Sequence, residues 1–415
     1  MKMKSFFFLV LACLATSLSA DLGLPEAYAL ALKQSESLAS QQELVTQAEE
    51  RYLQAVGNVL PSLSASAWLG FQDGLSRNSA KLAANQPLFR GLREYAALRQ
   101  AKGAIRYQEL GQRWAALQLY SDMAQSFYLV LSLEKDLATQ SGEIDLYAKR
   151  IDELKDFVRI GRARETEILS VQSAQAILKA QIEQSKAQVA AARELLAFLT
   201  GLDPSTPLSD DPAVLPELGS VEGYLSDIPK RPDIQAALAN INLAKESVNI
   251  AQGQHWPSAD LSGNYYFDNP GSDTQAGRWD AQIGLTLPLF MGGSVSAQTR
   301  QAKSQVKQAE LNLRQQTRLA SQAIRDAHAH LRYDLSQAAA LDDAWQIAEK
   351  NFKAESRDYK NGLVTNLELL QSLTAYQDTQ RALDRARYAA KADFARLQSL
   401  AARISPPASA QEANP

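Results

Sequence analysis

Residues 257–267 read PSADLSGNYYF and residues 61–71 read PSLSASAWLGF. Both open on Pro-Ser and both alternate. In the first, Ala259, Leu261, Gly263, Tyr265 and Phe267 oppose Asp260, Ser262, Asn264 and Tyr266. In the second, Leu63, Ala65, Ala67, Leu69 and Phe71 oppose Ser62, Ser64 and Ser66. A period of two with one apolar and one polar face specifies a strand in a sheet that is wet on one side. Each run is followed by another. Trp279, Ala281, Ile283, Leu285, Leu287 and Leu289 alternate over 279–289, and Ala80, Leu82, Ala84 and Leu88 share a face over 80–89. Runs of about ten residues match a tilted strand crossing a bilayer. Trp68, Phe71, Tyr265, Phe267 and Trp279 near the strand ends suit an aromatic girdle.

The two Pro-Ser signals lie 196 residues apart, as do Ala48 and Ala244. Pro87-Leu88-Phe89-x-Gly91 and Pro288-Leu289-Phe290-x-Gly292 lie 201 apart. That spacing persists through Ala101/Ala302, Leu110/Leu311, Gly161/Gly362, Glu167/Glu368 and Leu199/Leu400. A constant offset with one localised shift marks an internal duplication whose extra residues sit in a loop between strands.

Around the strands the chain reads as helix. Residues 24–58 have only Pro25 near their start. Residues 91–160 and 292–361 each continue for about seventy residues, or ~105 Å at helical rise, too long for one compact globule. Ile324, Ala327 and Leu331, then Leu341, Trp345, Ala348 and Phe352, keep a coiled-coil seam. Gly161 and Asn361-Gly362 turn the chain back. The expected division is a signal peptide 1–20 and a first repeat 21–201, then an equatorial linker 202–232, a second repeat 233–402 and a disordered tail 403–415. The first repeat holds helix 24–58, strands 62–71 and 80–89, long helix 91–160 and helix 162–200. The second holds helix 233–255, strands 259–267 and 279–289, long helix 292–361 and helix 363–402.

Composition narrows the function. The 415 residues carry 43 basic and 46 acidic side chains, net −3, which excludes nucleic-acid binding driven by bulk positive charge. Cys13 is the one cysteine, so no disulfide or cysteine-based metal cluster forms within one chain. With His255, His328 and His330 as the only histidines, the expectation is no enzyme, no cofactor and no metal; His328 and His330 do not share a helix face. Lys2 and Lys4 before the apolar run Phe6–Ala15 and the small residues to Ala20 read as an export signal. Lipidation at Cys13 is the alternative to its removal with that signal. No later apolar run reaches the 18–20 residues of a membrane helix, so spanning requires a closed barrel. Four strands cannot close one; two chains supply eight and three supply twelve, and a wide lumen joined to a helical tube favours three.

Several ordered segments resemble the TolC family of outer-membrane efflux proteins. LPEAYALALKQSESLASQQELVTQAEERYLQAVGNVLPSLSASA (24–67) looks like the family's opening helix and first strand. Asn85-Gln86-Pro87-Leu88-Phe89 and Leu287-Pro288-Leu289-Phe290-x-Gly292-Gly293 look like its strand-to-helix junctions. Arg231-Pro232-Asp233-Ile234 is similar to the opening of its second half, and YKNGLVTNLELLQSLTAYQDTQRAL (359–383) to its periplasmic hairpin tip. The resemblance implies a mostly α fold of long antiparallel coiled-coil helices forming a periplasmic tunnel. Four strands per chain would join a shared trimeric, 12-stranded transmembrane β-barrel in the outer membrane of a Gram-negative bacterium. It implies a passive exit duct for a tripartite efflux or type I secretion system, working with a periplasmic adaptor and an inner-membrane transporter. A periplasmic coiled-coil adaptor is the alternative, though one hairpin flanked by small β-domains would be expected of it.

The resemblance also implies a gate. Glu167 and Glu368, six residues past Gly161 and Gly362, would ring a constriction that concentrates cations. Tyr359 matches a residue that holds the family's closed state. Gln371 stands where a second acid is expected, with Ser170 as its counterpart, and Val364 where a basic residue is expected. Arg162 and Arg164 are candidates to compensate by reaching Glu165, Glu167 or Glu368. Gly161, Gly362, Leu363 and Val364 would form the adaptor-docking tips. The basic cluster Arg381, Arg385, Arg387 and Lys391 reads as a solvated helix face.

Overall fold

The computed structural model describes residues 22–72, 75–268 and 278–404, without the side chains of 71–72, 75–78 and 268. The signal peptide, Cys13, the tail from 405 and the side chain of Phe71 lie outside the described residues. The first half runs α1 (Leu24–Gln34), α2 (Glu36–Gly57), β1 (Ser62–Gln72), β2 (Leu75–Arg90), α3 (Arg93–Arg159) and α4 (Glu165–Thr200). After a connection holding the short α5 (Val221–Leu225) come α6 (Pro232–Gly253), β3 (Ser258–Asp268), β4 (Trp279–Thr286), α7 (Ser294–Lys360) and α8 (Asn366–Leu400). α3 and α7 have 67 residues each and are about 100 Å long.

A 100 Å element cannot wrap one core. Burial is instead divided among three clusters along the axis. One joins Ala27, Met123, Phe127 and Leu196. A second joins Tyr224, Ile324, Leu331 and Leu397, and a third gathers Tyr147, Leu154, Val171 and Tyr359 near the turns. Along α7 the buried residues Val295, Ala302, Ala309, Ala320, Ile324, Ala327 and Leu331 recur at intervals of seven, eleven, four and three, the repeat of a supercoiled seam. Many are alanines, so the neighbouring helices approach closely.

The strands form one antiparallel sheet in the order β1-β2-β3-β4, leaving the outer edges of β1 and β4 unpaired among the described residues. Its register puts Leu63 opposite Ala84, Leu82 opposite Tyr265, and Tyr265 opposite Trp279 on one face. Ser66 faces Lys81, and Asn264 faces Asp280, on the other. Leu69, Ile283 and Leu285 are at least 70% exposed in the single chain, so an apolar face awaits a nonaqueous neighbour.

Several expectations are corrected. Helix 24–58 is two helices. Ser35 adopts extended dihedrals, and its hydroxyl accepts the Leu38 amide at 3.2 Å, capping α2. The strand expected over 80–89 begins at Leu75, because pairing with β1 recruits residues that lack alternation. The strand expected over 279–289 ends at Thr286, before Pro288, which has no amide to donate. Trp68 lies opposite Ser79, on the face of Ser66 rather than that of Leu69, so it does not belong with the outward aromatics. The connection between halves is a packed strap: Leu22 pairs with Leu208, and Tyr224 and Ile228 are buried against α7 and α8. Arg403 lies ahead of the tail, its guanidinium over Tyr224 and its Nε 2.7 Å from Asp227. The basic cluster on α8 is a set of ion pairs rather than a wholly solvated face: Lys391 is buried, Arg381 and Arg387 are half-buried, and Arg385 is exposed. Lys391 is buried and donates to Asp210 at 2.8 Å, and Arg385 pairs with the buried Asp136. Their partners come from α3 and the strap, which no local reading of α8 reveals.

Candidate gate at the hairpin tips

Each hairpin turns on a glycine in the left-handed region, Gly161 at φ 76° and Gly362 at φ 73°. A Cβ is disfavoured there, which explains why both turns keep glycine. The helices that follow start on acids. Glu167 accepts the Arg164 amide at 3.2 Å, and Glu368 accepts the Thr365 amide at 2.6 Å and its hydroxyl at 2.9 Å. The Thr365 hydroxyl in turn accepts the Glu368 amide at 3.3 Å, a reciprocal capping box. Those hydrogen bonds from Thr365 hold the Glu368 carboxyl below its ordinary range.

Glu167 also faces the other hairpin. The Tyr359 hydroxyl near the end of α7 donates to its Oε2 at 3.4 Å. Burial pushes that phenol above its ordinary range, against the opposing pull of Arg150, so it stays a donor at neutral pH. The guanidinium of Arg150 lies 3.6 Å from the Tyr359 ring centroid. Its Nε and Nη2 donate to Asn366 Oδ1 at 3.1 and 3.0 Å, and its Nη1 to Glu153 at 3.1 Å. Phe157 stacks on Tyr359 with centroids 6.0 Å apart. Between these groups lies a cleft of about 590 Å³ lined by Arg162, Glu167, Ser170, Tyr359, Val364 and Asn366. α3 and α4 are thereby joined to α7 and α8 across the tip by charged and aromatic contacts as well as packing.

The other expected residues are placed as follows. Gln371 is exposed on α8. Leu363 is 73% exposed, whereas Val364 turns in against the tip cluster, so only the first is presented to solvent. Neither arginine of the first turn makes a side-chain bond to the acids named for it. Arg162 donates to the Lys360 carbonyl at 3.2 Å and lies over Phe157, while Arg164 meets Glu167 through its backbone. The buried cross-hairpin cation is Arg150, three turns up α3, which reading the tip alone misses. The available signal was its place in the seam of Tyr147, Ile151 and Leu154, where a charge requires a partner. His328 bonds the Gly219 carbonyl at 2.9 Å. No cluster of three or more metal-ligating side chains occurs among the described residues.

A family model described as "Outer membrane efflux protein" matches residues 228–403. The chain is 24% identical over 373 residues to "Outer membrane protein TolC" of Salmonella enteritidis, spanning 82% of this chain and 73% of that protein. The chain is similar to the TolC family of outer-membrane efflux proteins over most of its length. It is also 27% identical over 333 residues to "Protein CyaE" of Bordetella pertussis, covering 75% and 69% of the two chains. Its fold matches the open-state MtrE outer-membrane channel of Neisseria gonorrhoeae with a TM-score of 0.79, 20% identity, and 91% and 88% coverage. The relatives it matches are named as outer-membrane efflux or secretion proteins, and the solved structures that share its fold are named as outer-membrane proteins and channels. These matches do not favour the adaptor reading.

Proposed function

We propose that three copies of this chain close a 12-stranded barrel above a helical tunnel, and that the hairpin tips form an iris-like gate at its periplasmic end. A periplasmic adaptor docks at the tips through Gly161, Gly362, Leu363 and Val364, with Val364 supporting the turn from inside. An inner-membrane transporter drives substrate into the duct in a tripartite efflux or type I secretion system. The observation that carries this reading is a four-stranded sheet with two free edges and one exposed apolar face, mounted on helices about 100 Å long. Alternating strand directions let β4 of one copy meet β1 of the next antiparallel, so identical chains close without a special seam. Exposed apolar residues on α4 (Leu169, Ile177, Leu195, Phe198) and on α7 (Leu311, Leu319, Tyr333, Ile347) supply faces for neighbouring copies.

In the gate, Glu167 and Glu368 form the acidic neck, Tyr359 carries the link between hairpins, and Gln371 lies beyond the neck as a neutral position. The test is reconstitution in a planar bilayer of protein extracted from outer membranes, with cross-linking to count subunits. Trimeric cross-links and unitary currents whose cation preference falls in the Glu167→Gln, Glu368→Gln double variant are expected. Currents indifferent to both substitutions would retain the duct and remove the acidic neck. Absence of current and of trimers would overturn the whole reading.

A further inference from the structure

We propose that Trp68 forms an aromatic contact site on the inner wall of the barrel for organic cations and aromatic groups passing toward the exterior. The inference rests on the barrel reading above and adds a binding site to it. The register decides the side. Trp68 pairs with Ser79, two positions beyond the Ser66–Lys81 pair, and so shares the polar face. Its neighbours Ala67 and Leu69 lie on the apolar face with Leu82 and Ile283. A girdle tryptophan would stand on that apolar face. In a closed barrel the polar face lines water, so the indole enters the lumen.

Its posture is defined by Gly70, the next residue on the same face. A methyl group at Gly70 would collide with the Trp68 ring, so the indole lies along the strand over the bare backbone. Trp68 is still 57% exposed in the single chain. A flat, exposed indole presents its negative π face, which attracts cations and stacks with planar groups. Trp68 stands six residues from Ser62 at the helical end of β1, about 20 Å along the strand and well toward the outer rim. Threefold symmetry would set three such faces at one level of a lumen wide enough to hold water.

Two measurements test this in the reconstituted channel. Trp68→Cys should react with a membrane-impermeant trimethylammonium thiosulfonate added to the outer side, lowering current in up to three steps. Leu69→Cys and the unsubstituted protein should not respond. Block by tetraphenylphosphonium should weaken about three- to fivefold in Trp68→Ala and be largely retained in Trp68→Phe, the size expected for an exposed cation–π contact. Gly70→Ala, which displaces the ring without removing it, should also weaken block. A conducting Trp68→Cys channel that is inert to the reagent, or block that ignores Trp68→Ala, overturns the proposal while leaving the barrel in place. Loss of the channel in the unsubstituted protein would instead count against the barrel itself.

Discussion

The two hairpin tips share a turn glycine and an acid six residues later, yet the acids are engaged differently. Glu368 is held by its own helix start, through the backbone and hydroxyl of Thr365. Glu167 has a weaker local cap, because Arg164 stands where the second half has Thr365 and offers only its amide. Its other oxygen meets Tyr359 of the opposite hairpin. The asymmetry extends up the helices. Arg150 corresponds to Asn351 at the repeat spacing, and Tyr359 to Val158. Each half lacks what the other supplies, so two similar scaffolds are joined by contacts that the repeat itself does not contain. A repeat in sequence is therefore a poor guide to symmetry at the tips: equivalent positions can do local work in one copy and bridging work in the other.

The sharpest way to break this comparison is Arg150→Met against Asn351→Ala. The first leaves Asn366 without its buried charged donor and uncovers the Tyr359 ring. We expect the tip to lose about 2–3 kcal/mol of local stability, the range for charge-assisted hydrogen bonds, seen as faster amide exchange over 359–368. A severalfold rise in resting conductance should accompany it. Asn351→Ala should change neither, since Asn351 is exposed; equal effects would remove the asymmetry.

Next in size are the caps. Thr365→Ala should destabilise the start of α8 by about 1 kcal/mol, whereas Arg164→Ala should leave α4 nearly unchanged. Amide exchange in the first turn of each helix distinguishes them. The junctions below the barrel make a parallel comparison. Gly293 and its counterpart Leu92 both adopt the left-handed region, at φ 79° and 59°. Leu92→Gly should relieve strain of about 1 kcal/mol and raise the melting temperature in detergent. An unchanged or lower value would mean that packing of the leucine outweighs the strain.

The smallest expected effect concerns pH. Asp334 on α7 has its carboxyl pushed up to about 6, first by burial and then by hydrogen bonding and charge from Asp393 on α8, with His330 opposing. The folded chain then binds that proton more tightly than the unfolded chain. Its stabilising effect is fully present below the ordinary aspartate range and is lost as pH rises through about 6. Asp334→Asn should flatten the melting profile between about pH 4 and 6. An unaltered slope would show that the pair carries no linked proton.

Legibility varied with the range of the interaction. The alternating runs at 62–71 and 259–267 announced strands, since face selection in a strand is local and binary. The long helices were legible because seam residues such as Ile324, Ala327 and Leu331 repeat along one segment. The break at Ser35 was less visible, because serine is compatible with both a helix interior and a cap. At the candidate gate, Glu167, Glu368 and Tyr359 were named through the tip's resemblance to a family, but their different partners could not be. Arg150 and Asn366 lie 216 positions apart and meet only when the two hairpins dock.

By itself the sequence determined the element types, the duplication and the polar and apolar faces of each strand, because these follow from periodicities within a single segment. Tertiary structure alone decided which charges on α8 are interior, which acid bridges the hairpins, and that Arg150 reaches across to Asn366 and Tyr359. Those outcomes depend on which segments meet. A charge is solvated or buried, and an acid free or engaged, according to a partner that its own neighbourhood in the chain does not specify.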